Sequence, residues 1–238
     1  MEALEKKEAN PKVTYFVGID EAGRGSIIGE MIVAVAAVPS TIYDMLRSEG
    51  VKDSKELTPE KRRKLYYYLI KKIIFSVEPV PPSKIDMENL NRLTAQAAKA
   101  AFERVLHSIG DPRRIERVVI DKFGDTSYPR ILLRSRGYSG PILIVEKADR
   151  DYPEVSAASI IAKYVRDARI RVLSSLYGVR GSGYPSDPRT MEWINEMLRR
   201  GVEPPPIVRR SWGSLRGTPW YVEKRASRKG VDLTDFFG

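Results

Sequence analysis

Short apolar runs set between stretches of helical spacing most constrain what this chain can fold into. Residues Val13 to Ile19 and Gly29 to Val38 read as two strands joined by a short glycine-rich turn, which makes them antiparallel neighbours. Phe75 to Pro79 reads as an edge strand, because proline cannot donate to the ladder of a central one. Val118-Val119-Ile120-Asp121 and Ile142-Leu143-Ile144-Val145 are short and rich in β-branched residues, as buried strands are. Leu90, Leu93, Ala97, Ala101, Val105 and Ile109 recur at helical spacing up to Gly110, a C-terminal cap. Thr58-Pro59-Glu60 opens another helix, Ser156 to about Leu173 is the clearest long one, and a further helix runs from Pro188 to Arg200. This order predicts an α/β domain. Gly201-Val202-Glu203-Pro204-Pro205-Pro206 then breaks the chain, dividing a domain over residues 1–206 from a basic extension over 207–238.

Acids stand at the ends of three of these strands. Asp20 and Glu21 close the first and lead directly into Ala22-Gly23-Arg24-Gly25; Asp121 closes the fourth; Glu146, Asp149 and Asp151 follow the fifth. A sheet that gathers these ends can hold two divalent ions about 3.5 to 4 Å apart, one activating water and one stabilising a leaving oxygen. The glycine-flanked turn sets backbone N–H groups beside that oxygen-rich site, a combination suited to phosphate chemistry. Spacing does not choose among Glu146, Asp149 and Asp151, and Asp125 competes with Asp121.

Composition narrows the chemistry further. The 238 residues carry 41 Lys and Arg against 31 Asp and Glu, a formal charge of +10 that fits a polyanionic partner, nucleic acid first. With no cysteine, thiolate chemistry and disulfides are excluded, and the one histidine, His107, cannot make a multi-histidine zinc site. Hard cations held by oxygen remain. The apolar run Met31 to Val38 is far shorter than the roughly 20 residues of a membrane helix, and the N-terminus has no signal-peptide core, so a cytoplasmic protein is expected.

Taken together, the motifs resemble those of the ribonuclease HII family in its archaeal form. Gly18-Ile19-Asp20-Glu21-Ala22-Gly23-Arg24-Gly25 is similar to its opening motif and Asp53-Ser54-Lys55-Glu56-Leu57 to its second. Val119-Ile120-Asp121 matches the third, and Lys147-Ala148-Asp149 with Ser156 to Lys163 the fourth. Gly183-Tyr184-Pro185-Ser186-Asp187-Pro188 and Val208-Arg209-Arg210-Ser211-Trp212 resemble the C-terminal motifs. The resemblance implies a ribonuclease H-like fold, a mixed five-stranded sheet flanked by helices, with a C-terminal helical extension. It implies that Asp20, Glu21, Asp121 and Asp149 hold two magnesium or manganese ions, discarding Glu146 and Asp151. It implies that Gly23, Arg24 and Gly25 contact the ribose 2′-hydroxyl, that Tyr184 stacks at the ribonucleotide-to-deoxyribonucleotide junction, and that Lys55 contacts a phosphate.

The activity so implied is endonucleolytic cleavage of RNA–DNA hybrids and of ribonucleotide-containing duplex DNA. The cut falls 5′ of a ribonucleotide and leaves 3′-hydroxyl and 5′-phosphate ends. A basic nucleic-acid-binding protein without catalysis and a DNA nuclease of the same broad fold are the alternatives. A dinucleotide site is not, since a strand rather than a helix follows Gly23-x-Gly25. Three further expectations concern single features. Ser156, at a helix start, either offers its N–H to a phosphate or, with Ala157 and Ala158, allows close packing. Tyr66-Tyr67-Tyr68 on the basic second helix is assigned to core packing rather than to nucleic acid. Leu233, Phe236 and Phe237 reproduce half of the peptide that docks on the sliding clamp PCNA, with Gly230 where that motif has glutamine; packing back onto the protein's own core is the alternative.

Overall fold

Strands β1 (Tyr15–Ala22) and β2 (Met31–Pro39) pair antiparallel, with Ile19 opposite Val35 and Asp20 opposite Ala34. In this computed structural model, residues 13–48, 58–124, 130, 133–134 and 137–224 are described. Lys55 with the rest of its motif, Asp125, and the tail carrying Leu233, Phe236 and Phe237 lie outside them. Strand β3 (Ile74–Val80) adds antiparallel to β2, while β4 (Ile115–Asp121) and β5 (Ile142–Val145) add parallel on the other side. The resulting mixed sheet has the order β3-β2-β1-β4-β5.

Period-two alternation decides what each face of the sheet meets. On β2, Met31, Val33, Val35 and Ala37 pack with helix α4 (Leu90–Ile109) through Leu93, Ala97, Ala101 and Phe102. The intervening Ile32, Ala34, Ala36 and Val38 face helix α5 (Pro153–Tyr177) through Ala157, Ala158, Ile161 and Ala162. Because both faces are covered, β2 is a continuous apolar run. Alanines on the α5 side let the helix lie close. At Gly18 a Cβ would come within 2.1 Å of the Glu154 carbonyl, so only glycine fits there.

Helices α1 (Ser40–Ser48), α2 (Pro59–Leu69) and α3 (Pro82–Met87) complete the described N-terminal half. The Thr58 side chain caps α2, as its sequence predicts. Sequence spacing misses α1 and α3; both abut prolines, and Pro82 of α3 sits in the first turn, where a missing N–H costs nothing. Strand β5 is at an edge and leaves Leu143 exposed, rather than being buried on both faces. Helix α5 begins at Pro153, three residues earlier than its small-residue run suggests, so Ser156 lies inside it. Its N–H bonds Tyr152 O at 3.0 Å, and the buried residue does not offer it to a phosphate.

A third cluster joins the turn after β1 to the C-terminal part. Ile27 and Ile28 pack with Ile170 and Leu173 of α5, with Trp193 and Ile194 of helix α6 (Pro188–Arg199), and with Val208, Leu215 and Trp220. An isolated bridge pairs Ile28 with Val208. Residues 207–224 thus lie against the body of the protein, with one 3-10 turn at Gly213–Leu215 and irregular backbone elsewhere.

Candidate active site

The pairing of β1 with β4 sets the site. Ile19 lies beside Ile120 in parallel register, so the next residues, Asp20 and Asp121, emerge side by side at the same end of the sheet. Apolar residues Val17 and Ile19 point to the α4 face, which turns Asp20 toward α5, where its carboxylate meets Ser159. Asp20 is only 5% exposed. Burial first, and then the Glu21 charge, push its carboxyl well above the ordinary carboxylate range; the Ser159 hydrogen bond opposes this, and the Asp121 charge adds to it. The backbone N–H of Glu21 donates to Asp20 Oδ1 at 2.8 Å.

The fourth acid arrives through a backbone contact. Asp121 Oδ1 accepts the N–H of Ala148 at 2.9 Å, tying the end of β4 to the short 3-10 turn Ala148–Arg150. Lys147 enters that turn with φ of 56°, a left-handed conformation unusual for a side-chain-bearing residue. Asp149 is buried, 4.0 Å from Lys163 Nζ on α5. Glu146, by contrast, is exposed and paired with Lys122 at 2.6 Å, and Asp151 is exposed. Among the described residues, no group of three acidic or histidine side chains is drawn together tightly enough to enclose an ion as it stands. The donor chemistry nevertheless fits a hard divalent cation. The groups are carboxylate oxygens alone, and the repulsion concentrated on Asp20 is of the kind a cation relieves.

The turn leaving β1 is held from several sides. Gly23 has φ of 79°, a conformation strained for any side-chain-bearing residue, and a Cβ there would crowd the Glu30 carbonyl and the Arg166 stem at 3.1 and 3.3 Å. Arg24 directs its guanidinium away to α4, donating to Thr94 Oγ1 at 2.7 Å and to Asn91 Oδ1. Gly25 is exposed, with open space where a Cβ would stand. Arg209 spans the loop, donating from Nη1 to Arg24 O and from Nε to Gly29 O, both at 2.9 Å. Its burial, and then the charge of Arg166, lower its pKa to about 9. Trp212 Nε1 donates to Gly25 O at 3.2 Å.

Tyr184 is fixed to the same loop. Gly183 O accepts from the N–H of Ile27 at 2.9 Å and of Ile28 at 3.1 Å, and lies 2.7 Å from Ser26 Oγ. Arg166 stacks its guanidinium 4.3 Å from the centre of the Tyr184 ring and donates to Ser26 Oγ and to Ser182 O. Asp20, Glu21, Asp121 and Asp149 thus lie at one end of the sheet, and Gly23, Arg24, Gly25 and Tyr184 on the loop that leaves it and the segment tied to that loop. Ser159 and Lys163 lie within the fourth motif and Arg209 within a C-terminal one, but the sequence assigns no role of their own to these three or to Arg166. Only the interruption of apolar neighbours, as in Val208-Arg209, hints that the arginines are buried.

A model of the family described as ribonuclease HII matches residues 17–215. The chain belongs to the ribonuclease HII family. Ribonuclease HII of Aeropyrum pernix is 45% identical over 225 residues, 93% of this chain and 98% of that protein. Among solved structures, the ribonuclease H2 of Pyrococcus horikoshii OT3 is similar with a TM-score of 0.74 and 40% identity, over 85% of this chain and 95% of that one. The Archaeoglobus fulgidus structure titled as a complex of PCNA with RNase HII is similar with a TM-score of 0.69 and 32% identity, over 93% and 100%. The ribonuclease H-like fold expected from the motifs is thus the fold observed. As a ribonuclease HII the protein is an endoribonuclease that hydrolyses the RNA strand of RNA–DNA hybrids with divalent metal ions, which sets aside the non-catalytic alternative. Among the described residues, no helix is long and apolar enough to cross a membrane.

Proposed function

We propose that this ribonuclease HII cuts on the 5′ side of ribonucleotides, single ones embedded in duplex DNA included, and leaves 3′-hydroxyl and 5′-phosphate ends. The observation that carries this reading is the attachment of Gly183 to Ser26, Ile27 and Ile28, which sets Tyr184 beside a turn that leaves directly from the acid-bearing strand. A group that reads the ribose and a ring that reads the junction are thereby held to one geometry. The 2′-hydroxyl is what separates RNA from DNA, and the close backbone approach permitted by Gly23 and Gly25 suits recognition of a sugar. Asp20, Glu21, Asp121 and Asp149 would hold two magnesium or manganese ions. Those ions, when bound, would activate water and stabilise the leaving oxygen. Ser159 orients Asp20 by its hydrogen bond, and the Ala148 N–H orients Asp121. Lys163 places a positive charge beside Asp149.

By the same reading Lys55 contacts a phosphate, and residues 207–238 form an extension whose Leu233, Phe236 and Phe237 dock on the sliding clamp PCNA. The complex of PCNA with RNase HII from Archaeoglobus fulgidus supports a clamp partner. The enzyme would then act in the cytoplasm, removing primers and misincorporated ribonucleotides during DNA replication. Incubation with a duplex containing one ribonucleotide, with and without magnesium, tests the proposal. One metal-dependent cut at the 5′ side of that ribonucleotide is expected. Cleavage confined to continuous RNA, or on the 3′ side, would contradict it.

A further inference from the structure

Helices α2 and α5 enclose a cavity of about 470 Å³ that no step above uses, lined among others by Arg62, Arg63, Tyr67, Tyr164, Asp167 and Arg171. Its aromatic surface is largely taken up internally. Tyr66 and Tyr164 stack with ring centres 3.8 Å apart, and Tyr67 meets both rings edge-on at 5.4 and 5.8 Å. The Tyr164 hydroxyl donates to that of Tyr67 at 3.0 Å. The expectation that the tyrosines are core residues thus holds for Tyr66 and Tyr68, which pack on the second core cluster, while Tyr67 is 46% exposed. With the Tyr66 and Tyr164 faces against one another, the cavity presents hydroxyls, cations and the half-exposed Tyr67 ring.

The cations divide into two kinds. Arg62 is paired with Asp167 at 2.9 Å, which fixes one wall. Arg63 and Arg171 are exposed, and among the described residues neither has a carboxylate partner. Arg63 lies 6.0 Å from the Tyr67 ring, and the charges of Arg171 and Arg63 both reach the Tyr164 hydroxyl. Two guanidinium groups with no carboxylate partner among the described residues, beside paired hydroxyls and with the Glu60 carboxylate of the same lining paired with Lys64 at 3.1 Å, match the oxygens of phosphodiesters. The position along α5 points the same way. Ser159, Lys163 and Arg166 form the stripe facing the active site, and Tyr164, Asp167 and Arg171 the stripe beside it. Arg171 is eight residues past Lys163, about 12 Å along the helix. That distance corresponds to roughly three or four base pairs of duplex at 3.4 Å each.

We infer that the cavity between α2 and α5 binds the sugar–phosphate backbone of the duplex arm flanking the cut, with Arg63 and Arg171 as its phosphate contacts. The inference rests on a ribonucleotide-containing duplex being the substrate, but its test does not require cleavage. Binding of wild type and of an Arg63→Gln/Arg171→Gln double variant to a long duplex carrying one ribonucleotide, without divalent metal, is measured over a series of salt concentrations. A single Arg171→Glu variant and a duplex too short to reach past the cut site complete the set. The double variant should bind the long duplex about tenfold more weakly at about 0.1 M salt, and its log–log salt slope should be shallower by about 2. The charge-reversed Arg171→Glu variant should also bind the long duplex more weakly than wild type, while all proteins bind the short duplex equally and melt at the wild-type temperature. Equal affinity and slope for wild type and double variant on the long duplex would overturn the assignment. So would an equal loss on the short duplex, or a loss accompanied by a lower melting temperature. Failure of wild type to cut at a ribonucleotide would instead count against the proposed activity and leave the binding comparison intact.

Discussion

At the scale of single residues, Asp20 carries the strongest strain on ionisation, since burial and the Glu21 and Asp121 charges all disfavour its anion. Asp20→Asn should therefore melt no lower than wild type in metal-free buffer. Added magnesium should raise the melting temperature of wild type more than that of the variant, because a ligand that binds only the folded state stabilises it by mass action. Equal magnesium shifts in differential scanning calorimetry would remove Asp20 from the ion site. Tyr184→Ala should slow cutting at a lone ribonucleotide more than cutting within a longer RNA stretch, by roughly the 1 to 3 kcal/mol that base–aromatic stacking is worth. Equal losses on the two substrates in single-turnover assays would assign Tyr184 a purely structural role. Much of this site was legible beforehand, because acids that end apolar runs, and a glycine-flanked turn, announce themselves in one dimension. The residues that brace it were not. Arg166 sits beneath Tyr184, and Arg209 is tied to carbonyls 185 and 180 positions away, relations that no local pattern carries.

At the scale of elements, β1 and the start of α5 approach more closely at Gly18 than any side chain would allow. Gly18→Ala would drive a Cβ into the backbone of Glu154 and Val155, which cannot rotate aside, and should cost about 2 to 3 kcal/mol. Gly25→Ala meets open space at an ordinary φ and should leave the melting temperature unchanged, so that any loss of ribonucleotide cleavage reports on approach of the substrate. Thermal denaturation of the two variants makes the comparison, and similar melting temperatures would contradict it. The sheet's strands were readable from their apolar periodicity, and α4 from its stripe and its glycine cap. Where burial differed from expectation, the cause was tertiary. Strand β5 has no neighbour beyond it, and α5 extends back to Pro153 because proline suits a first helical turn.

At the scale of the whole molecule, a formal charge of +10 favours any duplex, while on the proposed reading the acids and the turn after β1 supply selectivity. Substrate binding should accordingly survive loss of the acids. The tail belongs to this scale too. A Phe236→Ala/Phe237→Ala variant should lose binding to the cognate clamp in a calorimetric titration while keeping cleavage of free duplex. Equal clamp binding by variant and wild type would rule the tail out as the docking peptide. The account as a whole stands on the four carboxylates working as one hydrolytic centre at the end of the sheet. The most direct measurement is the single-turnover cleavage rate, in magnesium, of a duplex containing one ribonucleotide, by wild type, Asp20→Asn and Asp121→Asn at enzyme concentrations that saturate binding. Both variants should bind the duplex and be slower by about a thousandfold or more, a loss of about 4 kcal/mol in transition-state stabilisation; rates within a few-fold of wild type would contradict the assignment.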